Sequence, residues 1–141
     1  MARQTPHLHP VTVRYLEVDQ QGVVFNMWYL GYFDDAMTTF LEAGGLPYTE
    51  MADHGYDIQL VHHEIDWTGP LRFGDDAHIQ VSVAEFGRTS FTMHFVVEAP
   101  AGVVARGTTV YVAIALDGSG PMPIPDRLRG CLLYTSDAAD E

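Results

Sequence analysis

Apolar residues in this chain follow a short strand-like pattern, then a helical one, then alternation again. Thr12–Val18 carries Thr, Val, Tyr and Val in a short run and predicts a strand. Across Met27–Ala43, Leu30, Phe33, Met37, Phe40 and Leu41 recur at helical spacing, and Tyr29, Tyr32, Ala36 and Ala43 widen the stripe. Polar residues there include Asp34, Asp35, Thr38 and Glu42. So broad an apolar face predicts a helix covered on most of its circumference. Asn26 or a neighbour is placed to cap its start, and Gly44-Gly45 followed by Pro47 ends it. Tyr48–His54 predicts one short helical turn.

Four strand-like stretches follow. Asp57–Trp67 is the first, and Pro70 with Gly74-Asp75-Asp76 marks the loop after it. In Ala77–Phe86, Ile79, Val81 and Val83 alternate with His78, Gln80 and Ser82. Gly87-Arg88 turns the chain, and Phe91, Met93, Phe95 and Val97 alternate with Thr92, His94 and Glu98. Pro100-Ala101-Gly102 turns it again into a long strand, Val103–Leu116. The two tight turns predict antiparallel pairing. Pro125–Arg129 predicts the start of a terminal helix. The order is one strand, one largely buried helix and four antiparallel strands. It reads as a single α+β domain whose sheet must curl around the helix.

Residues 131–141, Cys-Leu-Leu-Tyr-Thr-Ser-Asp-Ala-Ala-Asp-Glu, change the composition. They resemble the read-through translation of a transposase sequencing adapter. On that reading the domain is residues 1–130, residues 131–141 are a non-native tail, and deleting the tail alters neither melting temperature nor activity. The tail holds three acids and no Lys or Arg, so the formal charge of −12 becomes −9 without it. It also holds the only cysteine, which leaves residues 1–130 without disulfide or thiolate chemistry. The acidic balance argues against nucleic acid as the main partner. It allows a phosphate-bearing small molecule, which needs only a few local cations. Met1–Pro10 has no apolar stretch and no run approaches 18 apolar residues, so neither a signal peptide nor a membrane span is expected, and a cytoplasmic location is.

The chemistry concentrates where the first strand meets the long helix. Asp19 precedes Gly22 in the turn before the helix N-terminus. Backbone N–H groups there can polarise a carbonyl beside a carboxylate. The same residue also reads as an ordinary turn aspartate. His62-His63-Glu64 is a weak metal motif, because neighbouring strand residues point to opposite faces, and no metal is expected. Asp34, Asp35 and Glu42 read as a solvated or interfacial helix stripe.

Tyr15–Leu30 resembles the signature of the hotdog-fold acyl-CoA thioesterases of the 4-hydroxybenzoyl-CoA thioesterase and Tol–Pal-associated type. That signature is an Asp, a variable pair, Gly, two aliphatics, an aromatic and the helix start. Here it is Asp19, Gln20-Gln21, Gly22, Val23-Val24, Phe25 and Asn26. Trp67–Asp75, with Pro70, Arg72 and Asp75, resembles a family loop, and Gly87-Arg88-Thr89-Ser90 and Arg106–Val110 resemble family strand positions. The resemblance implies a hotdog fold and hydrolysis of an acyl-CoA thioester without a cofactor. It implies Asp19 as nucleophile or general base, the Asn26 N–H as carbonyl polariser, and Tyr15 as a residue orienting Asp19 or touching the acyl group. The expected substrate-binding set is Gly22, Val24, Phe25, His63, Glu64, Arg88 and Ser90, with His63 or Glu64 facing the pocket of a partner subunit and Arg88 the best-placed cation for CoA phosphate. A homodimer or homotetramer is implied. Several relatives carry histidine where this chain has Asn26, and an amide does not shuttle protons near neutral pH. The alternatives are a hotdog dehydratase or hydratase, and an acyl-CoA-binding module that needs no Asp19.

Overall fold

The apolar helix dictates the architecture. In the computed structural model, which describes residues 7–140 and side chains as far as residue 135, it runs over Trp28–Ala43 and is α1. The expectation for the N-terminus rests partly on residues 1–6, which lie outside the described residues. Tyr29, Tyr32, Phe33, Ala36, Met37, Phe40 and Leu41 of α1 are buried. Leu30 shares the angular position of Met37 and Leu41 but sits in the first turn, where it is 48% exposed. Asn26 does not cap the helix: Met27 is the N-cap, with no side-chain cap bond. The C-terminus ends as expected. Gly45 takes φ +83°, its N–H bonds the Glu42 carbonyl, and the Leu46 N–H bonds the Leu41 carbonyl. That is a Schellman ending, which needs a left-handed residue at this position.

The strands are β1 (Leu8–Thr12), β2 (Tyr56–Trp67), β3 (Asp76–Phe86), β4 (Ser90–Ala99), β5 (Gly102–Ala115) and the two-residue β6 (Gly120–Pro121). They form one antiparallel sheet in the order β1-β3-β4-β5-β2, with β6 beside β5. A short helix α2 (Tyr48–Asp53) links α1 to β2. This is the hotdog arrangement. Odd-numbered residues of β4 and β5, such as Phe91, Met93, Phe95, Ala105, Tyr111 and Ala113, point into the core. Phe33 of α1 stacks on Phe95 at 4.7 Å between ring centroids and 9° between planes. Gly107 of β5 sits beneath the Phe33 ring, where a Cβ would collide with it.

Two local expectations give way. Thr12–Val18 does not stay extended, because β1 ends at Thr12 and Tyr15–Glu17 forms a 3-10 turn. The cause is Glu17, whose carboxylate accepts both the Arg14 N–H and the Arg14 side chain and folds the segment back on itself. In β2, a bulge between Leu60 and His62 leaves Val61 without a register partner and reverses the in–out parity. Tyr56 and Ile58 face the core before it, and His63 and Ile65 after it.

The terminal helix α3 runs over Asp126–Asp140, well past Arg129. Leu128, Cys131, Leu132 and Thr135 are buried, and the Cys131 thiol lies 3.5 Å from the Leu41 carbonyl of α1. The origin of residues 131–141 is a separate matter from this packing: at helical spacing from Ile124 and Leu128, Cys131 and Leu132 supply the last apolar positions of the core among the described residues. Burying Leu132 and Cys131 contributes on the order of 2–4 kcal/mol. Truncation after Gly130 is therefore expected to lower the melting temperature by roughly 5–15 °C. A thermal melt followed by circular dichroism checks this, and an unchanged melting temperature would restore the neutral-tail expectation.

Candidate active site

Residues 18–24 close into a tight hairpin at the mouth of α1. Val18 and Val24 form a bridge. The Asp19 N–H donates to the Val23 carbonyl at 2.8 Å and the Gly22 N–H to the Asp19 carbonyl at 2.9 Å. Gly22 has φ +79°, a left-handed conformation that a Cβ would strain. The Asp19 carboxylate is held by one bond: its Oδ1 accepts the Gln21 N–H at 2.8 Å. The hairpin is tied to its surroundings through Val24 N–H to the Leu71 carbonyl, 2.7 Å, and Phe25 N–H to the Glu17 carbonyl, 2.9 Å.

The helix begins with short i→i−3 bonds from the Trp28, Tyr29 and Leu30 N–H groups to the carbonyls of Phe25, Asn26 and Met27. The Asn26 and Met27 N–H groups have no acceptor among the described residues. Unpaired donors at a helix N-terminus carry the positive end of the macrodipole. Beside them opens a cleft of ≈590 Å³. Gln21, Val23, Val24 and Asn26 form one wall, Tyr29 the base, and Trp67 with Gly69–Arg72 the other wall. Tyr29 and Trp67 meet edge to face, 6.0 Å apart. Burial pushes the Tyr29 hydroxyl up to about 12, so it remains a neutral phenol.

The other expected residues are scattered within one chain. Tyr15 is 79% exposed and packs edge-on against Phe73 instead of lining the cleft. Phe25 is largely exposed beside Asn26. Glu64 points away from α1 and pairs with His62 at 3.1 Å. His63 points inward: its Nδ1 shares a 2.6 Å hydrogen bond with the Thr109 hydroxyl, its ring lies 5.5 Å from Phe33, and its Nε2 is buried with no partner. Burial, then the neighbouring His62, lowers its pKa and keeps it neutral. Arg88 and Ser90 lie in and just after the β3–β4 turn, where Ser90 pairs with Val112 and thus aligns with Gln59 at the start of β2. The cleft lies at the other end of β2, at Trp67. Eight residues along β2, from Gln59 to Trp67 at ~3.3 Å each, separate the two.

Two groups gain weight in the structure: Arg72, which the sequence offered only as part of a loop, and Glu17, which lies outside the cleft. Arg72 lines the cleft with its side chain unpaired among the described residues, whereas Arg88 does not reach it. Glu17, only 3% exposed, accepts bonds from Arg14 N–H (2.8 Å), Arg14 Nε (3.0 Å) and Tyr32 OH (2.8 Å), and pairs with Arg14 Nη2 at 2.9 Å. Burial alone would raise its pKa, but those bonds and the Arg14 charge outweigh it and hold the carboxyl below its usual value. The Arg14–Glu17 spacing of three was the available signal. Among the described residues, no three His, Cys, Asp or Glu side chains are grouped to hold a metal ion, and no helix is long and apolar enough to cross a membrane.

Known proteins are similar to this chain in sequence and fold. A putative esterase of Aquifex aeolicus is 28% identical over 109 residues, 77% of this chain and 85% of that protein. A 1,4-dihydroxy-2-naphthoyl-CoA hydrolase of Synechococcus elongatus is 27% identical over 127 residues, 89% of this chain and 93% of that one. The solved structure of a gentisyl-coenzyme A thioesterase superposes with a TM-score of 0.81 at 26% identity, covering 89% of this chain and 98% of that one. The sequence model of the thioesterase-like superfamily matches residues 13–132, from the end of β1 to the last core position of α3. With the hotdog fold and a hairpin at the mouth of its central helix, the chain belongs to the thioesterase-like superfamily, a family of thioester hydrolases.

Proposed function

We propose that the protein hydrolyses an acyl-CoA thioester at the hairpin and cleft of residues 19–29. The observation that carries this reading is the unpaired Asn26 N–H at the helix N-terminus, on the wall of a cleft and one hairpin away from the Asp19 carboxylate. The thioester oxygen accepts from Asn26 N–H, which stabilises the negative charge that develops as the carbonyl carbon becomes tetrahedral. Asp19 either takes a proton from the attacking water or attacks the carbon itself to give an anhydride that water then opens. Collapse breaks the C–S bond, and the CoA sulfur leaves with a proton while the acyl group leaves as a carboxylic acid.

An aromatic acyl group fits the cleft best. The half-exposed Trp67 ring, backed by the buried Tyr29, offers it an aromatic surface, and two of the similar proteins are named for aromatic acyl-CoA substrates. Arg72, rather than Arg88, is the cation placed to meet CoA phosphate at the rim. A second copy of the chain would complete the site. β2 is an edge strand bonded only to β5 among the described residues, and Leu60, Val61 and Trp67 on it are about half exposed. A long edge with apolar side chains calls for a partner strand. The expected assembly is a homodimer or homotetramer, with Glu64, Arg88 and Ser90 as contributors across the boundary, whereas the inward-turned His63 stays within its own core.

Asp19→Asn is expected to lower turnover by about 10²–10⁴-fold with the fold intact. Release of CoA from a panel of aryl- and alkyl-CoA substrates, followed with a thiol reagent, measures this, and near-wild-type turnover would remove Asp19 from the chemistry. Asn26→Ala keeps the N–H and is expected to cost little, whereas Asn26→Pro removes it and should cost roughly 10²–10³-fold in kcat. Equal damage from both variants, each folded, would move the role to the side-chain amide. Light scattering at micromolar concentration should give a dimer or tetramer, and a fully active monomer would refute the shared site.

A further inference from the structure

Glu17 is the only buried charged side chain among the described residues, and it lines no part of the substrate cleft. A buried ion pair is a costly way to hold two segments together, and apolar side chains of the same volume often do it better. What a carboxylate adds is direction. Its two oxygens receive Arg14 from before the 3-10 turn and the Tyr32 hydroxyl from the second turn of α1. The backbone carbonyl of the same residue receives the Phe25 N–H, one position before Asn26. Residue 17 is therefore bonded to α1 by its side chain and to the foot of the hairpin by its main chain. The hairpin that carries Asp19 hangs between residues 17 and 25.

We infer that Glu17 is a positioning residue for thioester hydrolysis: the Glu17–Tyr32–Arg14 cluster fixes the Asp19 hairpin against the N-terminus of α1. This rests on the reading of Asp19 and Asn26 given above. A network with every lone pair directed holds one geometry more narrowly than apolar packing does. Reacting groups displaced by about 1 Å lose on the order of 10²-fold in rate, so the clamp acts on turnover without touching substrate. The cluster opens instead on a hollow of ≈340 Å³, lined by Arg14, Glu17, Trp28, Tyr32, Asp34 and Asp35 among others, which shares no lining residue with the cleft. Substitutions in it leave substrate contacts in place.

The test compares Glu17→Gln, Tyr32→Phe, Asp19→Asn and the double variant Asp19→Asn/Glu17→Gln, with benzoyl-CoA as substrate and a melting curve for each. Glu17→Gln removes the charge at constant shape. Tyr32→Phe removes one hydroxyl, keeps the ring in the core and decides the matter alone if Glu17→Gln does not fold. The expected result is a kcat lowered by roughly 10–100-fold in each single clamp variant, with KM within about twofold of wild type. In the Asp19→Asn background, assayed at high enzyme concentration, Glu17→Gln should cost less than about twofold more, since a clamp has nothing left to position. Folded clamp variants with wild-type kcat would overturn the inference. So would a loss that multiplies unchanged onto Asp19→Asn, which marks general stability and not positioning. If Asp19→Asn itself turns over normally, the reading of Asp19 falls first and the clamp falls with it; if Asp19→Asn is dead and the clamp variants are not, only the clamp falls.

Discussion

The burial of α1 in the concave face of the sheet is the constraint from which the other features follow. Seven of its residues are buried, which no exposed helix tolerates, and one antiparallel sheet supplies the cover. Close approach is reached through a size match: the Phe33 ring stacks on Phe95 and occupies the space that Gly107 leaves on the neighbouring strand. The helix thereby runs along β2 in the opposite sense, with Tyr29 against Trp67 at one end and Phe33 against His63 further in. Its N-terminus emerges beside the loop that follows β2.

That emergence supplies the proposed site at low structural cost. The first N–H groups of a helix have no partner in their own helix wherever it starts. Here they emerge next to a hairpin whose carboxylate is already oriented by a backbone bond. Neither group requires a strained backbone apart from Gly22, where glycine removes the strain. The one expensive element is the buried Glu17, and it lies at the junction of hairpin and helix, where placement matters most.

The sheet edge shows the opposite balance. Among the described residues β2 keeps ladder bonds on one side only, and its bulge at Val61 turns apolar and polar side chains to faces that a regular strand would not give them. His63 comes to lie inward on Thr109 and Phe33, while Glu64 and His62 pair outside. The residues expected to bind substrate but found far from the cleft, Arg88 and Ser90, are those for which only a second copy could close the distance.

The order and type of α1 and of β2 to β5 were written in the sequence, because period-3.6 and period-2 patterns over ten or more residues report which face must be buried, whereas α3 was legible only at its start. The helix end at Gly44-Gly45, the turn at Gly102 and the hairpin Asp19–Gly22 were legible for a related reason, since Gly45, Gly102 and Gly22 take a positive φ that other residues avoid. Long-range pairing was not legible. Glu17 looked like one more polar residue in a strand until Tyr32, fifteen positions on, and Arg14 converged on it and turned the strand into a 3-10 turn. The place of Arg72 on the cleft wall, the inward turn of His63 after a bulge, and the packing of Cys131 and Leu132 against α1 depend in the same way on which elements meet. Local periodicity fixes a residue's face, whereas its partner is fixed only when the sheet closes on the helix.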